Sequence, residues 1–301
     1  MQKVRLYDHA TSIQVQLDQG PVSLCVSRVP SPPGAIPRGR MLLLHGNPAN
    51  MHDFGEMAAR LARELEVMAV DLPGFGRSDN VRPVQHESVL DTYARHVQAV
   101  VERLDWREPY YLLGHSHGAA VAQRMAALFP ERIARLLLLG SVGTPAHWGY
   151  RQLALPGVLP GLRLLSRALR VPSPRPVRRE LVRAIMTPIF APHPLADEWI
   201  DTQLAAVDSR PEVLVNMAVV ASGDPCGQLA RTAEAICAPT LFVHGAADRL
   251  VPTQHARAIY EIVSRRCPSE FHVLPGTGHM LHISHPAPIA DLAVEWLGRH
   301  N

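Results

Sequence analysis

The sequence is poor in the features that mark secreted or nucleic-acid-binding proteins. Four cysteines, Cys25, Cys226, Cys237 and Cys267, are scattered over 301 residues with no CxxC pair and no ligand-like spacing. That excludes a scaffold stapled by disulfides or zinc and points to a reducing compartment. Charge of one sign is also lacking. Thirty basic against 27 acidic residues leave a net charge of +3, too little for the broad positive field that nucleic acids require. Lysine is almost absent, Lys3 being the one example, so arginine carries the positive charge. No apolar run approaches the roughly 20 residues that span a bilayer. The N-terminal MQKVRLYDHATSIQVQLDQG alternates polar and apolar residues where an export signal needs an unbroken apolar stretch. A cytoplasmic location is expected, with no nucleic-acid partner and no transmembrane segment.

What is present is apolar material: 47% of residues are hydrophobic, enough for one large core or a core with an insertion. Residues 12–29 read as two alternating strands around a Gly-Pro turn, followed by a Pro-rich loop at 30–39. The texture then changes to short, wholly apolar runs: MLLLHG (41–46), VMAVDLPG (67–74), YYLLGH (110–115), ARLLLLGS (134–141), PTLFVHG (239–245) and FHVLP (271–275). Such runs fit strands buried on both faces of a parallel sheet. Helical patterns at 52–65, 86–105, 117–129, 253–265 and 286–299 separate them. The alternation predicts right-handed βαβ units and a mostly parallel, doubly wound α/β sheet, with the opening strand pair antiparallel at one edge. Residues 145–235 break the rhythm with proline-punctuated helical pieces. The expected organisation is therefore a core of residues 1–144 plus 236–301 and a helical cap at 145–235.

In LLGHSHGAAVAQ (112–123), Ser116 stands between Gly114 and Gly118 at a strand-to-helix junction. Ligands bind outside the carboxyl ends of the strands in such sheets. A serine on a sharp turn there has strained backbone angles, and flanking glycines avoid collision with neighbouring backbone. The helix starting near His117 turns its N-terminus toward any anion formed at the serine. An ordinary capping serine is the alternative, and a bare GxSxG occurs by chance. The remaining parts are in place, however. A serine hydroxyl needs a histidine base, which needs an orienting carboxylate. Asp248 in HGAADRLVP and His279 in PGTGHML each follow a predicted strand, whereas no carboxylate follows the 134–140 strand in GSVGTPAH. Taken singly, these are a turn aspartate and a loop histidine; taken together, they make a catalytic set. The backbone N–H groups of His117 and of Asn47, in HGNPAN, are the expected oxyanion donors, although Asn-Pro also suits a plain tight turn.

With HGNP at 45–48, DLPGFGRSD at 71–79, GHSHG at 114–118, HGAAD at 244–248 and GTGHM at 276–280, the sequence resembles the α/β-hydrolase superfamily over essentially its full length. Within it, the chain is similar to the alpha/beta hydrolase 1 family, with a serine nucleophile and a helical cap. The resemblance implies the α/β-hydrolase fold and places 71–79 near the active site. HGNP also resembles haloalkane dehalogenases, but these use a carboxylate nucleophile, as epoxide hydrolases do. Serine would leave an inert ether, so attack by Ser116 must fall on a carbonyl. The expected activity is hydrolysis of a small-molecule carboxylic ester, lactone or thioester through an acyl-enzyme. C–C bond hydrolysis of β-ketone-type substrates on the same triad ranks lower, because such enzymes more often carry Asn where this chain has His115. A ligand-binding protein without catalysis is a further alternative, against which an intact triad argues.

No cofactor and no metal are expected. Gly74 and Gly76 lack the third glycine of a dinucleotide fingerprint, and His279, His282 and His285 lack HExxH or clustered carboxylates. His282 and His285 read as helix-start or surface residues. Within the insertion, Trp148, Met186, Phe190, Trp199 and Met217 either line an acyl pocket or pack the cap's own core, and packing is favoured. Eight arginines fall in 151–183 (Arg151, Arg163, Arg167, Arg170, Arg175, Arg178, Arg179 and Arg183) against the single acid Glu180. They suit an anionic or carrier-linked substrate, an anionic membrane surface, or a solvated helical face, and the solvated face is favoured.

Overall fold

The computed structural model describes residues 5–17, 20–81, 87–144, 146, 151–152, 155–168, 174–209, 215–216, 219–220 and 225–299. The two alternating stretches form β1 (Ala10–Leu17) and β2 (Gly20–Arg28), paired antiparallel from Ala10↔Ser27 to Leu17↔Gly20. Gly20 and Pro21 thus open the second strand rather than make the turn. The apolar runs form β3 (Arg40–Leu44), β4 (Glu66–Val70), β5 (Tyr110–His115), β6 (Ile133–Leu139), β7 (Thr240–Gly245) and β8 (Ser269–Leu274). DLPG, at the end of the second apolar run, is loop rather than strand. All eight strands join one sheet of order β1-β2-β4-β3-β5-β6-β7-β8, and among them β2 alone runs against the rest.

The sheet is flanked by α1 (Gly55–Leu61), α2 (Val89–Arg103) and α3 (His117–Leu128). Between β6 and β7 follow α4 (Val158–Ala168), α5 (Arg175–Phe190), α6 (Asp197–Ser209) and α7 (Pro225–Ala233). The chain closes with α8 (Thr253–Val263), α9 (Leu281–Ser284) and α10 (Pro286–Arg299). Successive strand residues face opposite sides of a sheet, which is why the central runs are apolar throughout. Leu42, Leu44, Leu112, Leu136 and Phe242 pack with α2, α3 and α8, while Met41, Leu43, Leu113, Leu137 and Leu241 pack with α1 and α10. Helix α2 starts where the Ser88 hydroxyl accepts the Asp91 N–H at 3.0 Å, an N-cap.

Helices α5 and α6 have a small core of their own, in which Met186, Phe190, Trp199, Ile200 and Leu204 meet Met280 from the C-terminal part of the chain. Helix α7 behaves differently. It packs on α3 and α8, with Leu229, Ala233 and Ile236 in the main core. This end of the 145–235 stretch therefore sides with the sheet layer, and its amphipathic pattern would look the same against either partner. No helix among the described residues is long and apolar enough to cross a membrane.

Candidate active site

The turn between β5 and α3 is a single residue, Ser116, with φ 52° and ψ −116°. A non-glycine residue in this region is strained by about 1–3 kcal/mol, and the surrounding structure holds it there. The Ser116 N–H donates to the Leu139 carbonyl at 2.9 Å, and the Ser116 carbonyl accepts the Ala119 N–H at 3.0 Å. The fit leaves no room for side chains on either side. A Cβ at Gly114 would lie 2.4 Å from the Gly118 oxygen, and one at Gly118 would lie 2.2 Å from the Leu44 oxygen. The serine hydroxyl is thereby presented at the carboxyl edge of the sheet and at the N-terminus of α3, where partial positive charge collects.

The three side chains expected to converge do so. The Ser116 hydroxyl donates to His279 Nε2 at 3.0 Å, and His279 Nδ1–H donates to Asp248 Oδ2 at 2.7 Å. A carboxylate only accepts, so the imidazole proton sits on Nδ1 and leaves Nε2 free to accept from the serine. All three residues are buried. The Asp248 Oδ1 atom also accepts the N–H groups of Leu250 and Val251, at 2.9 and 2.8 Å. His244, the penultimate residue of β7, adds a further donor. Its Nε2 lies 2.8 Å from the Val251 oxygen and 3.2 Å from Asp248 Oδ2. Burial alone pushes the Asp248 carboxyl upward, but the charge of His279 and the hydrogen bonds of His244 and His279 outweigh it and hold Asp248 well below the usual carboxylate range. Sequence reasoning gave His244 no role, although its place at the strand end before Asp248 was the available signal.

The loop after β3 lies against this turn, since a Cβ on Gly46 would be 3.1 Å from Ser116 Cβ. Asn47 follows in that loop, half-buried, with its Oδ1 atom buried and lacking a hydrogen-bond partner among the described residues. His45 ties the loop down. Its Nδ1–H donates to the Gly46 oxygen at 2.8 Å, and its Nε2 accepts the Leu72 N–H at 2.9 Å. Burial lowers its pKa to about 4. The 71–79 loop is in turn organised by Asp71, which accepts from Met51 N–H (2.8 Å), Arg77 N–H (2.8 Å) and the Tyr7 hydroxyl (3.0 Å). Burial pushes Asp71 up to about 6 against the pull of these donors. PGFG was legible as a turn, but the hub at Asp71 was not.

Histidine is the unexpected theme of the site. His282 does sit at a helix start, as the second residue of α9, and His285 directly precedes α10, but His282 is buried and His285 half-buried. Burial lowers His117 and His282 to about 3 and takes His115 well below the usual histidine value. These rings are therefore neutral around the triad.

In the helical segment, Met186, Phe190 and Trp199 pack against one another; the Phe190 and Trp199 rings meet edge to face at 4.8 Å. The Trp199 indole N–H donates to Asp53 Oδ1 at 3.0 Å, joining α6 to the segment before α1. Trp148 and Met217 lie outside the described residues. Three of the eight arginines are met by acids within the fold. Arg175 pairs with Asp201 (3.4 Å), Arg179 with Asp197 and Asp201 (3.5 and 3.7 Å), and Arg183 with Asp197 (2.7 Å). The basic face of α5 thus meets an acidic face of α6, whose aspartates lie beyond the 151–183 window. Arg170 and the Arg167 side chain lie outside the described residues. A cavity of about 840 Å³, lined by Tyr7, Asn50, His52, Arg77, Glu198 and Thr202 among others, opens beside α6 and includes none of the triad.

The chain is similar to several known proteins. A 2-hydroxy-6-oxononadienedioate/2-hydroxy-6-oxononatrienedioate hydrolase of a Pseudomonas species is 29% identical over 238 residues, 77% of each chain. The 2-hydroxymuconate semialdehyde hydrolase of Pseudomonas sp. strain CF600 is 24% identical over 274 residues, 85% of this chain and 86% of that one. Among solved structures, a thermophilic esterase from Thermogutta terrifontis superposes with a TM-score of 0.73 at 22% identity, covering 96% of this chain and 99% of that one. A meta-cleavage product hydrolase from Pseudomonas fluorescens IP01 gives 0.72 at 20% identity, covering 97% and 98%. At such identities these two structures speak for the fold alone. The sequence model of the Alpha/beta hydrolase family matches residues 41–292, from β3 to the middle of α10, a span that includes Ser116, Asp248 and His279. The chain is a member of the alpha/beta hydrolase family.

Proposed function

We propose that the protein hydrolyses a carbon–carbon bond beside a ketone in a β-ketone-type, vinylogous diketone acid, using Ser116 as nucleophile, His279 as base and Asp248 as its orienting carboxylate. The observation that carries the serine chemistry is the chain of short contacts, 3.0 Å from Ser116 Oγ to His279 Nε2 and 2.7 Å from His279 Nδ1 to Asp248. What favours a carbon over an oxygen leaving group is the company of relatives, which at up to 29% identity over most of the chain act on oxo-dienoates. This reverses the order expected from the sequence. The argument against it was His115 in place of Asn, yet the His115 ring is 2% exposed and bonded to the His279 main chain. Its identity therefore says little about the leaving group.

In this reading His279 Nε2 takes the Ser116 proton as the oxygen attacks the ketone carbon, and the N–H groups of Asn47 and His117 receive the resulting oxyanion. Collapse breaks the C–C bond. The departing carbon can carry the electron pair because a second carbonyl on that fragment takes it up as an enolate, and imidazolium returns the proton to carbon. Water, activated by the neutral imidazole, then releases the acid from Ser116. Residues 145–235 are proposed as the cap that shapes the substrate pocket, α7 excepted, and the substrate as a small molecule.

The test is a direct comparison of substrates. Loss of the visible absorption of 2-hydroxy-6-oxo-dienoates bearing methyl, phenyl or carboxyethyl groups at C6 is measured beside release of p-nitrophenol from acetyl to decanoyl esters. The proposal expects kcat/KM at least about a hundredfold higher on a dienoate, roughly 3 kcal/mol of transition-state discrimination, and none in Ser116→Ala. Turnover of the esters with inert dienoates would overturn it in favour of an esterase.

A further inference from the structure

The serine and its imidazole are joined twice. One link is the contact between Ser116 Oγ and His279 Nε2. The second runs through the residue immediately before the serine: the His115 ring reaches beneath the histidine loop and places Nε2 3.0 Å from the His279 main-chain oxygen. A carbonyl oxygen only accepts, so this nitrogen carries the hydrogen. The ring has little freedom. Its centroid is 4.1 Å from that of His282 and 5.0 Å from that of His279. The backbone closes on its edges as well, a Cβ at Gly46 lying 2.9 Å from Nδ1 and one at Gly140 lying 3.5 Å from Cδ2.

We infer that His115 is a positioning residue, a clamp that fixes the main chain of His279 to the serine turn and so sets the distance across which the Ser116 proton moves. The inference rests on the reading of Ser116 as nucleophile. A leucine would fill the same space without the cost of taking an imidazole out of water, so the polar ring is explained by the bond it makes. The Ser116–His279 contact must break and re-form as the proton passes, whereas the His115 bond involves no reacting atom and persists through every step. It closes a ring of contacts from the residue 115 backbone to the Ser116 side chain, the His279 imidazole, the His279 carbonyl and back to the His115 ring. From the other side the loop is held by Ala247 N–H on the Thr277 oxygen at 2.8 Å, which constrains the start of the loop but not residue 279.

The test compares His115→Gln, which keeps an N–H at the reach of Nε2, with His115→Leu, which fills space and donates nothing; His115→Met replaces the leucine variant if that one does not fold. Labelling of Ser116 by a fluorophosphonate gives a rate independent of the natural substrate, and kcat and KM are read on the best substrate found above. The expected result is a fall of about 10–100-fold in labelling rate and kcat for the leucine variant, the scale of a displacement near 1 Å. KM should stay within about twofold, as for an interaction made only in the transition state. The glutamine variant recovers most of the loss, at matched melting temperature, and the low-field resonance of His279 Nδ1–H shifts in the leucine variant alone. A folded leucine or methionine variant that labels as fast as the parent, or a glutamine variant no better than leucine, overturns the clamp. Parent protein that takes no label at Ser116 overturns the nucleophile itself, a distinct outcome.

Discussion

At the scale of single residues, Asp248 gathers donors from His279, His244 and two backbone N–H groups, and each replacement has a defined cost. Asp248→Asn would present an N–H2 group to His279 and favour the wrong imidazole tautomer. Turnover is expected to fall by about 10³–10⁴-fold while the fold persists, measured as kcat beside a thermal melt. His244→Phe removes one donor from a buried carboxylate and is expected to cost about 1–3 kcal/mol of stability at pH 7, measured by urea unfolding; a smaller activity loss should accompany it. Ser116, Asp248 and His279 were legible in the sequence because each lies in the turn or loop that follows a strand end and each is a residue type that reactions use. His244 and His115 were not, because their partners are a main-chain oxygen or a carboxylate in another turn, which spacing does not reveal. Asp71 was hidden for the same reason: its donors are two backbone N–H groups and a tyrosine 64 positions earlier.

At the scale of elements, close approach between segments leaves a second kind of signature. Gly278, in the loop that carries His279, faces the bend after α5 so closely that a Cβ would lie 2.0 Å from the Ala191 oxygen. Gly278→Ala is therefore expected to displace either the bend or the histidine loop and to reduce activity by about 100-fold. The control is Gly298→Ala, in the last turn of α10, where an added methyl meets nothing within 4 Å. That change should leave activity intact and raise stability by up to about 1 kcal/mol. Paired melts and kinetics decide both. The elements themselves were readable to within a few residues wherever a strand is buried on both faces, as in β3, β6 and β7. Edge details such as the Gly-Pro start of β2 were not, since pairing register depends on the partner strand. The side taken by α7 was equally silent, because amphipathicity gives the direction of an apolar face but not its neighbour.

At the scale of the whole molecule, buried neutral histidines set the response to acid. His45, His115, His117 and His282 all have folded pKa values pushed down, first of all by burial. Unfolding lets each bind a proton near its ordinary value of about 6.5. Stability from these groups is thus fully present above that pH and is lost as pH falls toward the folded values of about 4 for His45 and about 3 for His117 and His282. Four such groups give a slope of up to about 5 kcal/mol per pH unit. Asp71 works in the opposite sense, because its raised pKa of about 6 lets the folded state take up a proton first. These five groups together give about 4 kcal/mol per pH unit between about pH 6 and 4, steep enough to unfold a domain of ordinary stability over about two to three pH units. Urea midpoints at pH 7, 6 and 5 measure this slope, and His282→Phe, beside the Phe54 ring 5.0 Å away, should flatten it by about a third. A slope unchanged by that substitution would remove His282 from the account.

The segment from Gly278 to Met280 belongs to two structures at once. Its middle residue supplies the imidazole, while its ends touch the Ala191 carbonyl and enter the small core of α5 and α6. On the proposed chemistry, whatever loosens that helical pair is expected to unseat the proton acceptor too, so that a molecule opened to bulk water on this side would be chemically idle.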